Sequence, residues 1–160
     1  MSRKFAVILG AETLLPERDL WVSQAWGDVP VSFIQDDEVL NGCSFLDIKV
    51  NKWEVNPLWS SRQEVEPWIR IEIFKSGQLE QFLQTETFPV SVDAACETLM
   101  LFELDEGGSE LDFLMLRRLV SVFFGRGKVY ESCGGFREVS ERDFVFLPSK
   151  PNIHEQLLKQ

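Results

Sequence analysis

The segment "GGSELDFLMLRRLVSVFFG", residues 107 to 125, constrains the fold more than any other part of the chain. Gly107 and Gly108 interrupt the chain, and Ser109 with Asp112 three positions on forms a capping-box pattern. Gly125 stands where the residue just beyond a helix belongs. Between these signals Leu111, Leu114, Met115, Leu119, Val122 and Phe123, with further apolar neighbours, occupy most of the circumference. A helix that apolar has to be covered on most sides. The spacing therefore predicts a central helix near 110–124, with the rest of the fold built around it.

Strands must supply much of that cover. In "PWIRIEIFK" Ile69, Ile71 and Ile73 hold one parity, while Trp68, Arg70, Glu72 and Phe74 hold the other. That is the signature of a strand with its isoleucines on the core. Phe5 to Leu9 is a continuous apolar run, as expected of a strand buried on both faces. "VPVSFIQDD" and "CSFLDIKVN" read as two strands of an antiparallel hairpin, with Asn41-Gly42 in a connection longer than two residues. "KVYESC" and "RDFVFL" read as two more.

Helices are expected from about Glu17 to Ala25, where Pro16 sits near the start, and over "SGQLEQFLQ". A further helix is expected over "SVDAACETLMLFEL", with Ser91 as N-cap and Val92, Ala95, Cys96, Leu99 and Phe102 on one stripe. "NKWEVNPLWSSRQEVE" reads as a long loop carrying Trp53 and Trp59, and residues 148–160 as a loose tail. With no repeat, low-complexity tract or linker, the 160 residues form a single domain, 1–160. The fold class is α+β, a mainly antiparallel sheet packed against about three to four helices.

The glycine-rich stretch "FFGRGKVYESCGGFRE" decides several catalytic readings. A phosphate loop needs four residues between its glycines and Ser or Thr after the lysine. Here one residue separates Gly125 from Gly127, and Val129 follows Lys128. These glycines also close a helix, whose C-terminus repels phosphate and suits Arg126 and Lys128. Cys133 before Gly134-Gly135 would need a base to become a nucleophile, and the lone histidine, His154, lies in the expected tail. Cys133 keeps only a redox claim, through Arg126 or Arg137.

The same single histidine, with no G-x-S-x-G, argues against a serine triad. Three distant cysteines without a C-x-x-C suggest neither a disulfide framework nor a zinc site. "QDDEVLNGC" places Val39 and Ile48 where calcium ligands would stand, so it is not an EF-hand loop. The expectation is of no cofactor, no metal and no catalytic residue.

Charge then carries the functional reading. The net charge is −10, and residues 76–116 contain nine acids without one Lys, Arg or His. Such a surface repels nucleic acid and anionic lipid, so neither is expected as partner. No stretch approaches the ~18 apolar residues of a membrane span, and the apolar run after Arg3-Lys4 is too short for a signal peptide. A cytoplasmic location follows as an expectation.

The partner expected is another protein with a basic surface, such as a cognate toxin or effector of nuclease type. The chain itself reads as a bacterial immunity or inhibitor-type protein. Candidate partner-binding residues are Glu103, Asp105, Glu106, Glu110 and Asp112 around the glycine turn, Asp36 and Asp37, and Trp53 and Trp59 as aromatic anchors. Two alternatives stand beside this reading. One is a carboxylate- or metal-dependent enzyme using Asp36, Asp37 or the 103–112 acids. The other is a subunit of a phage or secretion assembly that associates with its own copies.

Overall fold

The computed structural model describes residues 3–62, 66–144 and 150–159. Seven strands form one antiparallel sheet: β1 (Lys4–Leu9), β2 (Val31–Gln35), β3 (Phe45–Val50), β4 (Ile69–Phe74), β5 (Thr98–Leu104), β6 (Gly127–Ser132) and β7 (Phe136–Val139). Their spatial order is β2-β3-β4-β5-β1-β6-β7, which puts the two most apolar strands, β1 and β5, side by side at the centre. Among the described residues six helices accompany them: α1 (Arg18–Trp26), α2 (Lys52–Val55), α3 (Trp59–Arg62), α4 (Ser76–Thr85), α5 (Glu110–Ser121) and α6 (Lys150–Lys159). The α+β class is as the sequence predicts, and helices alternate with strands along the chain.

The sheet divides the core in two. Phe5, Val7 and Leu9 of β1, Met100 and Phe102 of β5 and the three isoleucines of β4 face α1, α5 and α6. Ala6, Ile8, Leu99, Leu101 and Tyr130 face the other way, under α4 and the segment from Phe88 to Ala94. The expected central helix is α5. Ser109 accepts from the Asp112 amide while the Asp112 carboxylate accepts from the Ser109 amide, completing the capping box. Two tryptophans clamp α1 onto it, Trp21 Nε1 donating to the Leu119 carbonyl at 3.0 Å and Trp26 Nε1 to that of Met115 at 2.8 Å.

Four expectations need correction. The helix expected over residues 91–104 is instead a turn at Ala94–Cys96 followed by β5. Leu99 through Phe102 are all buried because β5 is covered on both faces, and such an unbroken apolar run fits a helical stripe as well as a strand. "RDFVFL" is not a strand where it can be followed. Glu141–Phe144 is a 3₁₀ turn whose Phe144 ring packs on Phe5 and Phe124, while residues 145–147 lie outside the described residues. The strand after Gly134-Gly135 is "FREV", paired with β6.

The loop expected around Trp53 and Trp59 contains α2 and α3. The expected loose tail is helical over 150–159, with Ile153 and Leu157 fully buried. Trp59 Nε1 donates to the Leu157 carbonyl at 2.9 Å and fixes that docking. The glycine that opens β6 has a steric task. A Cβ on Gly127 would stand 2.4 Å from the Ile8 carbonyl oxygen, so only glycine lets β6 approach β1 there.

Candidate functional site: an acid-rimmed groove at one end of the sheet

The strand register sorts the predicted acids into two groups. Gln35, Phe45, Phe74, Thr98 and Leu9 end or begin their strands at one end of the sheet; Val50, Ile69, Leu104 and Lys4 do so at the other. Asp36 and Asp37 leave β2 at the first end, whereas Glu103 to Asp112 surround the exit of β5 at the second. The structure therefore does not bring the predicted acids together.

At the second end bases lie among the acids, although among the described residues only Glu106 and Asp112 form ion pairs. Glu103 stands in register beside Arg70 of β4 and Lys4 of β1. Glu106 approaches Arg3 at 3.9 Å, and Asp105 accepts from the Trp68 amide at 3.2 Å. Asp112 is buried; it takes the Lys52 ammonium at 2.6 Å and the amide and hydroxyl of Ser109 at 2.8 Å each. Trp59 is buried too, its ring 4.6 Å from the Lys52 Nζ. Asp112 and Trp59 thus hold α2, α3, α5 and α6 together and present no outward surface, a correction to their expected role. Glu110 and Trp53 remain exposed. A segment without bases in sequence is interleaved in space with bases from β1, α2 and β4.

The first end differs. The β1–α1 loop and the β2–β3 loop enclose a groove of about 590 Å³, walled by Leu14, Leu15 and Pro16 on one side and by Val39 and Leu40 on the other. That volume lies within the range of ligand pockets, about 300–1,000 Å³. Leu14 and Val39 are 72% and 65% exposed.

Local hydrogen bonds set both walls. Asn41 accepts from the Leu15 amide through its side chain at 3.4 Å and from Lys75 Nζ through its carbonyl at 2.6 Å. Asp36 accepts from the Ser44 amide and hydroxyl and from the Phe45 amide, and Asp37 from the Val39 amide. The Ser44 hydroxyl, followed by these amides, draws the Asp36 carboxyl below its usual range, so it is ionised at neutral pH. Arg18 ties the walls together, bonded to Gln35 at 2.7 Å, paired with Asp19 at 3.1 Å and stacked 3.4 Å from the Phe33 ring centroid.

The rim carries Glu17, Asp19 and Glu38, with Asp36 and Asp37 just behind on the same loop. Among the described residues, no Lys or Arg forms an ion pair with Glu17, Asp36, Asp37 or Glu38. A second hollow of about 460 Å³, between Phe45 and α4, is lined by Arg70, but that guanidinium is already held by Asp47 in two bonds of 2.8 and 2.7 Å.

Among the described residues the cysteines and the histidine do not assemble at either end. Cys43 is buried and its thiol pushed up by desolvation; the Cys96 thiol is pushed up by its bond to Asp93. Cys133 and His154 are each exposed, on the β6–β7 turn and on α6. Among the described residues no group of three or more His, Cys, Asp or Glu converges as a metal site, and no helix is long and apolar enough to cross a membrane. What the groove offers is apolar contact within a negative field.

Glu17, Glu38 and the groove leucines escape a reading that follows the longest base-free segment. A second signal was present. Residues 19–48 hold six acids and no Lys, Arg or His, and in this case the fold brings few bases back to them. Compared with protein-family models, with curated proteins and with solved structures, the chain finds no match.

Proposed function

We propose that this protein acts without catalysis by binding another protein, and that the groove at the β2–β3 end receives an apolar side chain flanked by Lys or Arg. One observation carries the reading: an open apolar groove beside Glu17, Asp36, Asp37 and Glu38, which form no ion pair among the described residues, while Asp19 is paired with Arg18. Unanswered acids beside exposed leucine and valine cost little in water and gain when a basic surface arrives. The apolar floor supplies the short-range part, since filling it removes Leu14 and Val39 from water at about 25 cal/mol per Å².

The concrete version is an inhibitor or immunity-type protein. It would cover the cationic cleft of a toxin or effector, such as a nuclease, by presenting carboxylates in place of phosphates. Association would then be fast and strongly dependent on salt. The test is partner capture from the native host followed by kinetics in rising NaCl. A basic partner whose association rate falls at least about tenfold between 50 and 500 mM salt supports the reading. A partner whose rate ignores salt overturns it.

A further inference from the structure

We propose that β2 is a strand-addition edge, at which an extended partner segment with alternating apolar residues and flanking Lys or Arg pairs with Val31, Phe33 and Gln35. The inference rests on the binding reading above and specifies the form of the partner.

The phase of the ladder is set by the Asn51 amide, which donates to the Pro30 carbonyl at 2.8 Å. Main-chain groups alternate sides along an antiparallel strand. Pro30, Ser32 and Ile34 thus turn theirs toward β3, and Val31, Phe33 and Gln35 turn theirs outward at the sheet edge. No backbone hydrogen bond outside the ladders reaches these three among the described residues.

Natural sheets guard such edges with charge or proline. The opposite edge, β7, does so: its exposed residues are Arg137 and Glu138, while Phe136 and Val139 are buried. β2 has neither charge nor proline within it and exposes Phe33 at 43% and Ile34 at 53%.

Charge selects the occupant. Asp28 precedes the strand and Asp36, Asp37 and Glu38 follow it, within the base-free residues 19–48. A second copy paired antiparallel about Phe33 would set Asp28 against Glu38 twice, at a net charge of −10 for each chain. A foreign strand with basic flanks meets the same acids as counter-ions. Continuity supports it as well, because Gln35 and Glu38 line the groove. A segment paired along β2 that runs on past Gln35 enters it.

The test uses the full chain as bait for a displayed library of random 12-residue peptides. The strongest sequence is then synthesised in three forms: unmodified, N-methylated at the alternate amides that face β2, and N-methylated at the other set. Strand addition predicts apolar alternation with Lys or Arg at the flanks, and slowed hydrogen exchange at the Val31, Phe33 and Gln35 amides. It also predicts about a hundredfold weaker binding for the first methylated form only. Peptides indifferent to methylation that contact Leu14 and Val39 overturn strand addition and leave the groove reading standing. Enrichment of no basic sequence overturns both. Pairing of the chain with itself, seen as a dimer in sedimentation that a Phe33→Lys variant abolishes, overturns the choice of occupant.

Discussion

Neutralising Asp112 gives the sharpest test of how this fold is held. Its carboxylate takes Lys52 on one oxygen and the Ser109 amide and hydroxyl on the other. The two charged side chains are 3% and 9% exposed, so neither can turn to water without opening the junction of α2 with α5. Asp112→Asn keeps the shape and a capping oxygen but removes the negative charge that faces the buried Lys52 ammonium. Removing one member of such a pair costs about 3–5 kcal/mol. For a chain of this length that lowers Tm by roughly 6–20 °C at about 2–4 °C per kcal/mol.

Lys52→Met should cost less, because Asp112 retains Ser109. Replacing both residues removes the mismatch, so the Lys52→Met, Asp112→Asn protein should recover to within about 1–2 kcal/mol of wild type. Urea denaturation of the four proteins, fitted with a common m-value, measures the coupling directly. Additive losses, with the double variant at the sum of the two singles, would refute the claim that the pair acts as one buried unit.

Other expectations follow from the same contacts. Leu157→Ala should cost about 2–5 kcal/mol in urea unfolding, the loss for a buried leucine; no loss would mean that α6 does not dock. Gly127→Ala should destabilise by more than 1–2 kcal/mol, since β6 must move off the Ile8 carbonyl; a near-neutral result would refute that close approach. Asp36 has a folded pKa below the ordinary 3.8, so its contribution to the β2–β3 loop is complete above the unfolded value and is lost as pH falls through the lower folded one. The Ser44 amide resonance should report that transition by NMR, and Asp36→Asn should abolish it. Cys96 donates to Asp93 at 3.1 Å, which raises the thiol pKa, so Asp93→Asn should speed its alkylation at pH 8. An unchanged rate would show that the bond does not govern the thiol.

Legibility in the sequence followed the environment of each segment. β4 could be read residue by residue because one face is core and the other is partly wet, which imprints strict alternation. α5 could be read with its cap because Ser109 and Asp112 act within one turn. β5 could not, since burial on both faces erases the period that separates strand from helix. α6 was hidden because its order comes from Trp59 and the core, not from its own propensity.

The acids show the same divide. Charge density along the chain located Glu103 to Asp112 but said nothing of Arg3, Lys4, Lys52 and Arg70 arriving from elsewhere. Asp36 and Asp37 were visible as acids, but the groove behind them depends on Leu14 and Val39, more than twenty positions apart in sequence. Only the hairpin register and the β1–α1 loop place those two walls opposite one another.

Charge reversal at the two ends of the sheet tests the central claim most directly. One protein carries Glu17→Lys with Glu38→Lys at the groove, the other Glu106→Lys with Glu110→Lys at the exit of β5, and both change the net charge by the same amount. Their affinities for the host partner are compared at fixed ionic strength. The account predicts a loss of at least about tenfold for the groove variant and less than about threefold for the other. Equal losses, or a larger loss at the β5 exit, would contradict it.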